Sequence, residues 1–152
     1  NNAMHELKDA RLLEGRALKR IILVKHKKLA KIRESISKMV PLLNKKRVQK
    51  LKKKFTKIHS FTNAEILSEV SNHIIKHDIS EELERISFHL NEAHKLLKKR
   101  HDHGKRLDIL LQELLREMNT LSVKVDNIKI KKLAIDGRIL IEELREQAQN
   151  IQ

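Results

Sequence analysis

The chain has 152 residues, with 34 Lys/Arg against 20 Asp/Glu, no cysteine, and only 2% aromatic residues. That length suits one modest domain, and the missing cysteine excludes disulfides, zinc–thiolate sites and a cysteine nucleophile. A net charge of +14 points to an anionic partner, nucleic acid first; without Trp or Tyr, RNA would be held by phosphate contacts rather than base stacking.

A cytoplasmic setting fits the thiol-free composition. No apolar run approaches the roughly 18 residues of a membrane span and no signal peptide is visible, so no membrane partner is expected. Asn1-Asn2-Ala3 ahead of Met4 resembles a cloning remnant and is set aside at residues 1–3.

Only helices are expected. The first runs from about Met4 to Met39, with Leu7, Leu18, Ile22, Leu29, Ile32 and Ile36 as its apolar positions, and Pro41 ends it or starts the next. A helix that long packs along another long helix or another subunit. The second, about Leu42 to His59, is thinly apolar and carries Lys45, Lys46, Arg47, Lys50, Lys52, Lys53, Lys54 and Lys57. It is either a solvated basic face or a phosphate-attracting surface.

Thr62-Asn63-Ala64-Glu65 has the spacing of a capping box and opens a third helix to about Lys76. Asp78 or Ser80 caps a fourth, in which Leu83, Ile86, Leu90, Ala93 and Leu97 recur in threes and fours. Gly104 breaks the chain before a fifth helix, and a sixth begins near Asn127 and runs to about Asn150. Gly137 inside the sixth costs roughly 1 kcal/mol against alanine and marks a close packing point.

The fold class is all-α, an array of long antiparallel helices. Residues 4–77 form a long helical segment with the basic second helix, and residues 78–152 a helical domain that carries the candidate site. The apolar stripes exceed the needs of one small chain, and Ile109 and Val123 project from the polar side of the fifth helix, which favours a homo-oligomer.

The fifth helix holds the densest chemistry. Leu107, Leu110, Leu111, Leu114, Leu115, Met118, Leu121 and Val125 share one side. Asp108, Gln112, Arg116 and Asn119 form one polar stripe, and Arg106, Glu113, Glu117, Thr120 and Lys124 a second beside it. Spacings of three and four let these side chains touch. Glu113 and Glu117 stand one turn apart, as two carboxylates sharing Mg²⁺ or Mn²⁺ would, although Arg106, Arg116 and Lys124 could equally neutralise them. Gln112 and Asn119 can hydrogen-bond a base edge or a 2′-hydroxyl, and Arg116 can fork a phosphate; the same groups could instead fix helix register.

On the fourth helix, Glu82, Arg85 and His89 lie on one strip. An imidazole there can act as acid, base or metal ligand, or stand in an ordinary Arg/Glu ladder. On the last helix, Arg138, Glu142, Arg145, Glu146 and Gln149 share a side and offer either a third wall or an intersubunit seam. His101-Asp102-His103 reads as a solvated loop. His5, His26, His59, His73, His77 and His94 show no pairing, and no P-loop, GxSxG or GxGxxG motif appears.

Four ordered blocks resemble the YicC-like bacterial endoribonuclease family. Gly104-Lys105-Arg106-Leu107-Asp108, continuing through Gln112-Glu113, Arg116-Glu117 and Asn119-Thr120, is similar to its G-[RK]-[RK]-L-D-F-x-x-Q-E-x-x-R-E-x-N-T. Ile141 to Ile151 resembles I-E-x-[ILM]-R-E-Q-x-Q-N-I, and Asp78 to Arg85 with His89 resembles D-[IV]-x-E-E-L-x-R-[LI]-x-x-H. Ala10-Arg11, Glu14-Gly15 and Leu18 resemble A-R-x-x-E-G-x-x-L.

The resemblance implies cleavage of RNA phosphodiester bonds with a divalent metal, Mn²⁺ or Mg²⁺, in a hexamer when the protein is full length. Carried onto this chain, it makes His89, Glu113 and Glu117 catalytic and places the metal on Glu82, Glu113, Glu117 and His89. RNA would meet Arg85, Arg106, Gln112, Arg116, Asn119, Lys124 and Arg145. A metal-free route, with His89 assisting 2′-hydroxyl attack, stays open, as does a non-catalytic RNA-binding or assembly module. Ile109, Met118, Val123 and Gly137 depart from the family pattern at packing positions. The family's N-terminal domain, opening on a Met-x-Ser-Met-Thr-Gly-like segment, has no counterpart here, so the chain resembles the C-terminal half.

Overall fold

The computed structural model describes residues 2–57, 62–99 and 104–150, with side chains from residue 13 onward. Among these the chain forms five helices and no strand: α1 (Asn2–Thr56), α2 (Asn63–Lys76), α3 (Ser80–Lys98), α4 (Gly104–Lys124) and α5 (Ile128–Gln149). The His101-Asp102-His103 loop lies outside the described residues.

One expected boundary is wrong. The first and second helices are one, running through Pro41 for 55 residues, about 80 Å at 1.5 Å per residue. Proline inside a helix costs about 3 kcal/mol or more. That cost is met by the apolar seam on either side of it. Ile22, Leu29 and Ile36 are fully buried at seven-residue spacing, and Met39 and Leu43 pack on the same core. Each fully buried side chain contributes about 1.5–3 kcal/mol, so the three ahead of Pro41, with half-buried Leu43 beyond it, outweigh one lost backbone bond.

The other starts follow local chemistry. Thr62 caps α2 in a full capping box with Glu65. Asn127 caps α5 by accepting the Ile130 N–H at 3.1 Å. The start of α3 differs from expectation: its N-cap is Ile79, without a side-chain cap, rather than Asp78 or Ser80; Asp78 instead accepts both the Ser80 N–H and the Ser80 hydroxyl just ahead of the helix, and these bonds hold its carboxyl below the usual range despite partial burial.

Helices α1, α3, α4 and α5 close a four-membered ring. α1 packs on α3 and α5, α4 packs on the same two from the far side, and α2 lies on α1. Paired residues run in opposite directions along every contact. On α1 against α3, His26 meets the Leu90 carbonyl while Arg33 meets that of Leu83; on α1 against α5, Lys25 pairs with Glu143, whereas Leu29 approaches Gly137. The ring is therefore antiparallel throughout, as four-helix packing favours. One continuous core joins α1 to α3, α4 and α5.

Gly137 sits at a close approach of three helices. A Cβ there would stand 2.9 Å from Met118 Cε and 3.5 Å from Leu29 Cδ1, so α1, α4 and α5 meet where a side chain is missing. Arg47, buried on α1, pairs with Asp126 in the α4–α5 connection and ties the end of the ring. No described helix is long and apolar enough to cross a membrane.

Candidate nucleic-acid site at the seams of α4

The two polar stripes of α4 exist, but they serve two different neighbours. The stripe with Glu113, Glu117 and Lys124 flanks the core on the α3 side. The stripe with Asp108, Gln112 and Asn119 flanks it on the α5 side. Between them, on the outward face, stand Ile109, Arg116 and Val123, all exposed.

Arg85 is the hub of the α3 seam. Its guanidinium reaches Glu81 at 2.6 Å through Nη1, Glu117 at 3.0 Å through Nε, and Glu82 at 3.6 Å through Nη2. The first two carboxylates come from different helices, so one cation bridges α3 and α4. Hydrogen bonding to Glu117 raises the Arg85 pKa further above its already high value, with the charges of Glu117, Glu81 and Glu82 adding to it against desolvation.

Glu82 is 1% exposed. One of its oxygens accepts from Lys124 Nζ at 2.7 Å; the other is buried with no partner. Lys124 in turn fixes the α2–α3 turn, since its carbonyl lies 2.7 Å from His77 Nδ1. A carboxylate can be buried this way because Lys124 and Arg85 neutralise it and because it lies in the first turn of α3, where the helix dipole favours negative charge.

His89 lies one turn beyond Arg85 on α3. Its ring is half-buried, edge-on to Phe88, with Nδ1 buried and unpartnered. The antiparallel register that sets Arg85 against Glu117 places His89 opposite Glu113, one turn earlier on α4. Glu113 is half-buried and makes no ion pair or hydrogen bond among the described residues. Arg106 is exposed at the same end of the seam, and its charge helps to lower the pKa of Glu92, after the hydrogen bond from Lys95.

The α5 seam is built on Asp108. It accepts from Gln112 Nε2 at 2.9 Å and from Arg145 Nε at 2.8 Å. This is the register-fixing use of these residues. The Asn119 carbonyl accepts from the Ser122 hydroxyl, and the Arg116 carbonyl from the Thr120 hydroxyl; the side chains of Asn119 and Arg116 are not drawn into either seam. Arg138 is half-buried, with its Nε lacking a partner.

The expected residues thus fall into two groups. Glu82, Arg85, Glu117 and Lys124 come together, with His89 and Glu113 as the next rung. Gln112 and Arg145 gather on Asp108 elsewhere. Among the described residues, no three His, Asp or Glu side chains converge into a cation site, and Glu82 and Glu117 already carry cationic partners. Of the set Glu82, Glu113, Glu117 and His89, then, Glu82 and Glu117 are committed to cations within one chain, whereas Glu113 and His89 are not.

Some interactions escaped the sequence reading. His26 and His94 stack with ring centroids 5.3 Å apart, and His73 lies against His77, whereas no histidine pairing was expected. The His73–His77 spacing of one helical turn was a usable signal; His26 and His94 lie 68 positions apart and offered none.

The chain matches the family model described as "Endoribonuclease YicC-like, C-terminal" over residues 33–152. It is 44% identical over 75 residues to a Haemophilus influenzae protein named "Probable endoribonuclease YicC", covering 49% of this chain and 26% of that protein. A Clostridioides difficile protein of the same name is 33% identical over 87 residues, covering 57% of this chain and 30% of its own length. The matched stretch spans less than a third of either relative.

Proposed function

The chain belongs to the YicC-like endoribonuclease C-terminal family, and on that footing we propose that it is the RNA-handling helical part of an endoribonuclease, with cleavage at the α3–α4 seam. What supports the reading is that His89 and Glu113 each stand one turn from the Arg85–Glu117 pair, on α3 and α4, both half-buried and outside any ion pair or hydrogen bond among the described residues. A proton-transfer group beside a phosphate-binding cation is the minimum that RNA cleavage requires.

The ribose 2′-hydroxyl is the nucleophile in this scheme. His89 takes its proton as the 2′ oxygen bonds to phosphorus. The P–O5′ bond breaks and the departing 5′ oxygen takes a proton from water, giving a 2′,3′-cyclic phosphate and a 5′-hydroxyl. Glu113 steadies the imidazolium. Arg85 and Lys124 attract the phosphate, with Arg106 and Arg116 extending the positive field. Glu117 acts by positioning Arg85. No step runs through a metal.

Assembly into a homo-oligomer, a hexamer in the full-length protein, is part of the same proposal. Val123 and Ile128 are 82% and 83% exposed at the α4–α5 corner, apolar area that a second copy would cover.

A second reading has a specific observation behind it. The pairs Lys124–Glu82 and Arg145–Asp108 join helices to one another, as they would in a non-catalytic RNA-binding module. One experiment separates the two. End-labelled RNA, and the same strand with 2′-deoxyribose throughout, are incubated with the chain in Mn²⁺, Mg²⁺ or EDTA. Cleavage of the ribose strand alone, persisting in EDTA, supports the proposal. Cleavage of both strands, or cleavage lost in EDTA, contradicts the 2′-hydroxyl scheme, and binding without cleavage favours the module.

A further inference from the structure

The seam of α1 changes character at the end of the bundle. The positions that face the core recur every seven residues as Ile22, Leu29, Ile36 and Leu43; the next two in that series are Lys50 and Lys57. The companion positions Leu18, Ile32 and Met39 are followed by Lys46 and Lys53. Together with Lys54, these five lysines occupy about 100° of the helix circumference. The face that is apolar inside the ring thus continues past it as a row of ammonium groups.

All five are exposed, and none has a carboxylate partner among the described residues. Lys50, Lys53, Lys54 and Lys57 line one open concavity. The sequence contains no Asp or Glu between Glu34 and Glu65, so nothing on α1 itself relieves the repulsion. Val48, Leu51 and Phe55, on another side of α1, are half-buried where α2 covers the helix. The lysine row is therefore an open surface beside the face of α1 that packs on α2.

This surface rejects an apolar helix, because docking one would bury several ammonium groups without countercharge. A phosphodiester backbone supplies that charge at regular intervals and asks for no base recognition. Few aromatics and a net charge of +14 agree with such binding.

We propose that the lysine row Lys46–Lys57 on the overhanging end of α1 is a docking track for the RNA phosphate backbone, separate from the α3–α4 seam. It rests on the reading of the chain as an RNA-handling protein and adds where the strand is held away from the cleavage point.

The test uses a fluorescein-labelled 20-nucleotide single-stranded RNA and fluorescence anisotropy between 50 and 300 mM salt. The variant K50Q/K53Q/K54Q/K57Q changes only exposed side chains, and its helicity and melting confirm folding. A control, K27Q/K28Q/K31Q/K132Q, removes the same charge from exposed positions elsewhere. Affinity of the row variant should fall about tenfold or more at 0.1 M salt, with the log–log salt slope reduced by about 3 for four phosphate contacts. The control should lose clearly less, and the four-arginine version of the row should bind like the unaltered chain.

Equal losses in row variant and control, or an unchanged row variant, overturn the track while leaving RNA binding standing. Absence of RNA binding by the unaltered chain overturns the track together with the reading beneath it. Displacement of RNA by polyglutamate at equal charge concentration would assign the row to an acidic polypeptide instead.

Discussion

Lys124 donates to Glu82 at 2.7 Å across the α3–α4 seam, and Glu82 is buried with its second oxygen unpartnered. The pair therefore carries an asymmetry: Lys124 reaches solvent, whereas Glu82 does not. Removing the lysine strands a buried carboxylate that only Arg85, at 3.6 Å, still approaches. Lys124→Met should destabilise the chain by about 1–3 kcal/mol. Adding Glu82→Met should recover most of that loss, because an apolar pair replaces an imperfectly satisfied ionic one. Urea denaturation of the two variants checks both signs.

Asp126 should matter beyond its exposure. Burial pushes its carboxyl up, but the hydrogen bond and charge of Arg47 outweigh that and hold it below the usual carboxylate range. A carboxylate with a lowered folded pKa contributes its full stability above the unfolded value, about 3.9. That contribution fades as pH falls through the lower folded value. Asp126→Asn should cost about 1–2 kcal/mol at neutral pH by leaving buried Arg47 with Asn44 alone. It should also flatten stability between pH 4 and 2, relative to the unaltered chain, in a melting series.

His94 supplies a second pH dependence, of the same sign and nearer neutrality. Desolvation, then Lys98, then His26 lower its pKa. The unfolded chain binds its proton more readily, so stability is full above about pH 6.5 and declines as pH falls below it. Melting temperature should therefore drop between pH 7.5 and 5.5, and His94→Gln should shrink that drop. An unchanged drop would assign it to other groups.

Gly137 tests the close approach of α5 to α4. Alanine there meets the flexible end of Met118, and the gain in helix propensity, about 1 kcal/mol, offsets the shift Met118 must make. Gly137→Ala should stay within about 1 kcal/mol of the parent. Gly137→Leu has no space between Met118 and Leu29, and should cost about 2–3 kcal/mol as an overpacked core does. Denaturation midpoints of the two separate a packing glycine from an incidental one.

Much of this fold was legible because its signals are local. The Thr62–Glu65 capping box, the Asn127 start and the threefold and fourfold apolar recurrence of α3 and α4 each lie within a turn or two. Pro41 misled because proline's cost is local while its compensation, the Ile22–Leu29–Ile36 seam, is spread over the bundle. The site residues were legible as chemistry but not as partners. Glu117 lies one turn from Glu113 in sequence, yet the antiparallel register commits it to Arg85 on another helix. The same register splits Gln112 and Arg145 away onto Asp108. Spacing along one helix fixes which face a residue occupies; packing decides what meets it.

Cleavage of end-labelled single-stranded RNA by the chain and by its His89→Gln variant, with RNA affinity measured in parallel, tests the α3–α4 seam as the site of cleavage. Discrete shorter products from the unaltered chain, their disappearance in the variant, and RNA binding within about twofold of the parent are expected. Equal cleavage by both, or no cleavage by either while RNA is bound, would contradict a catalytic seam between α3 and α4.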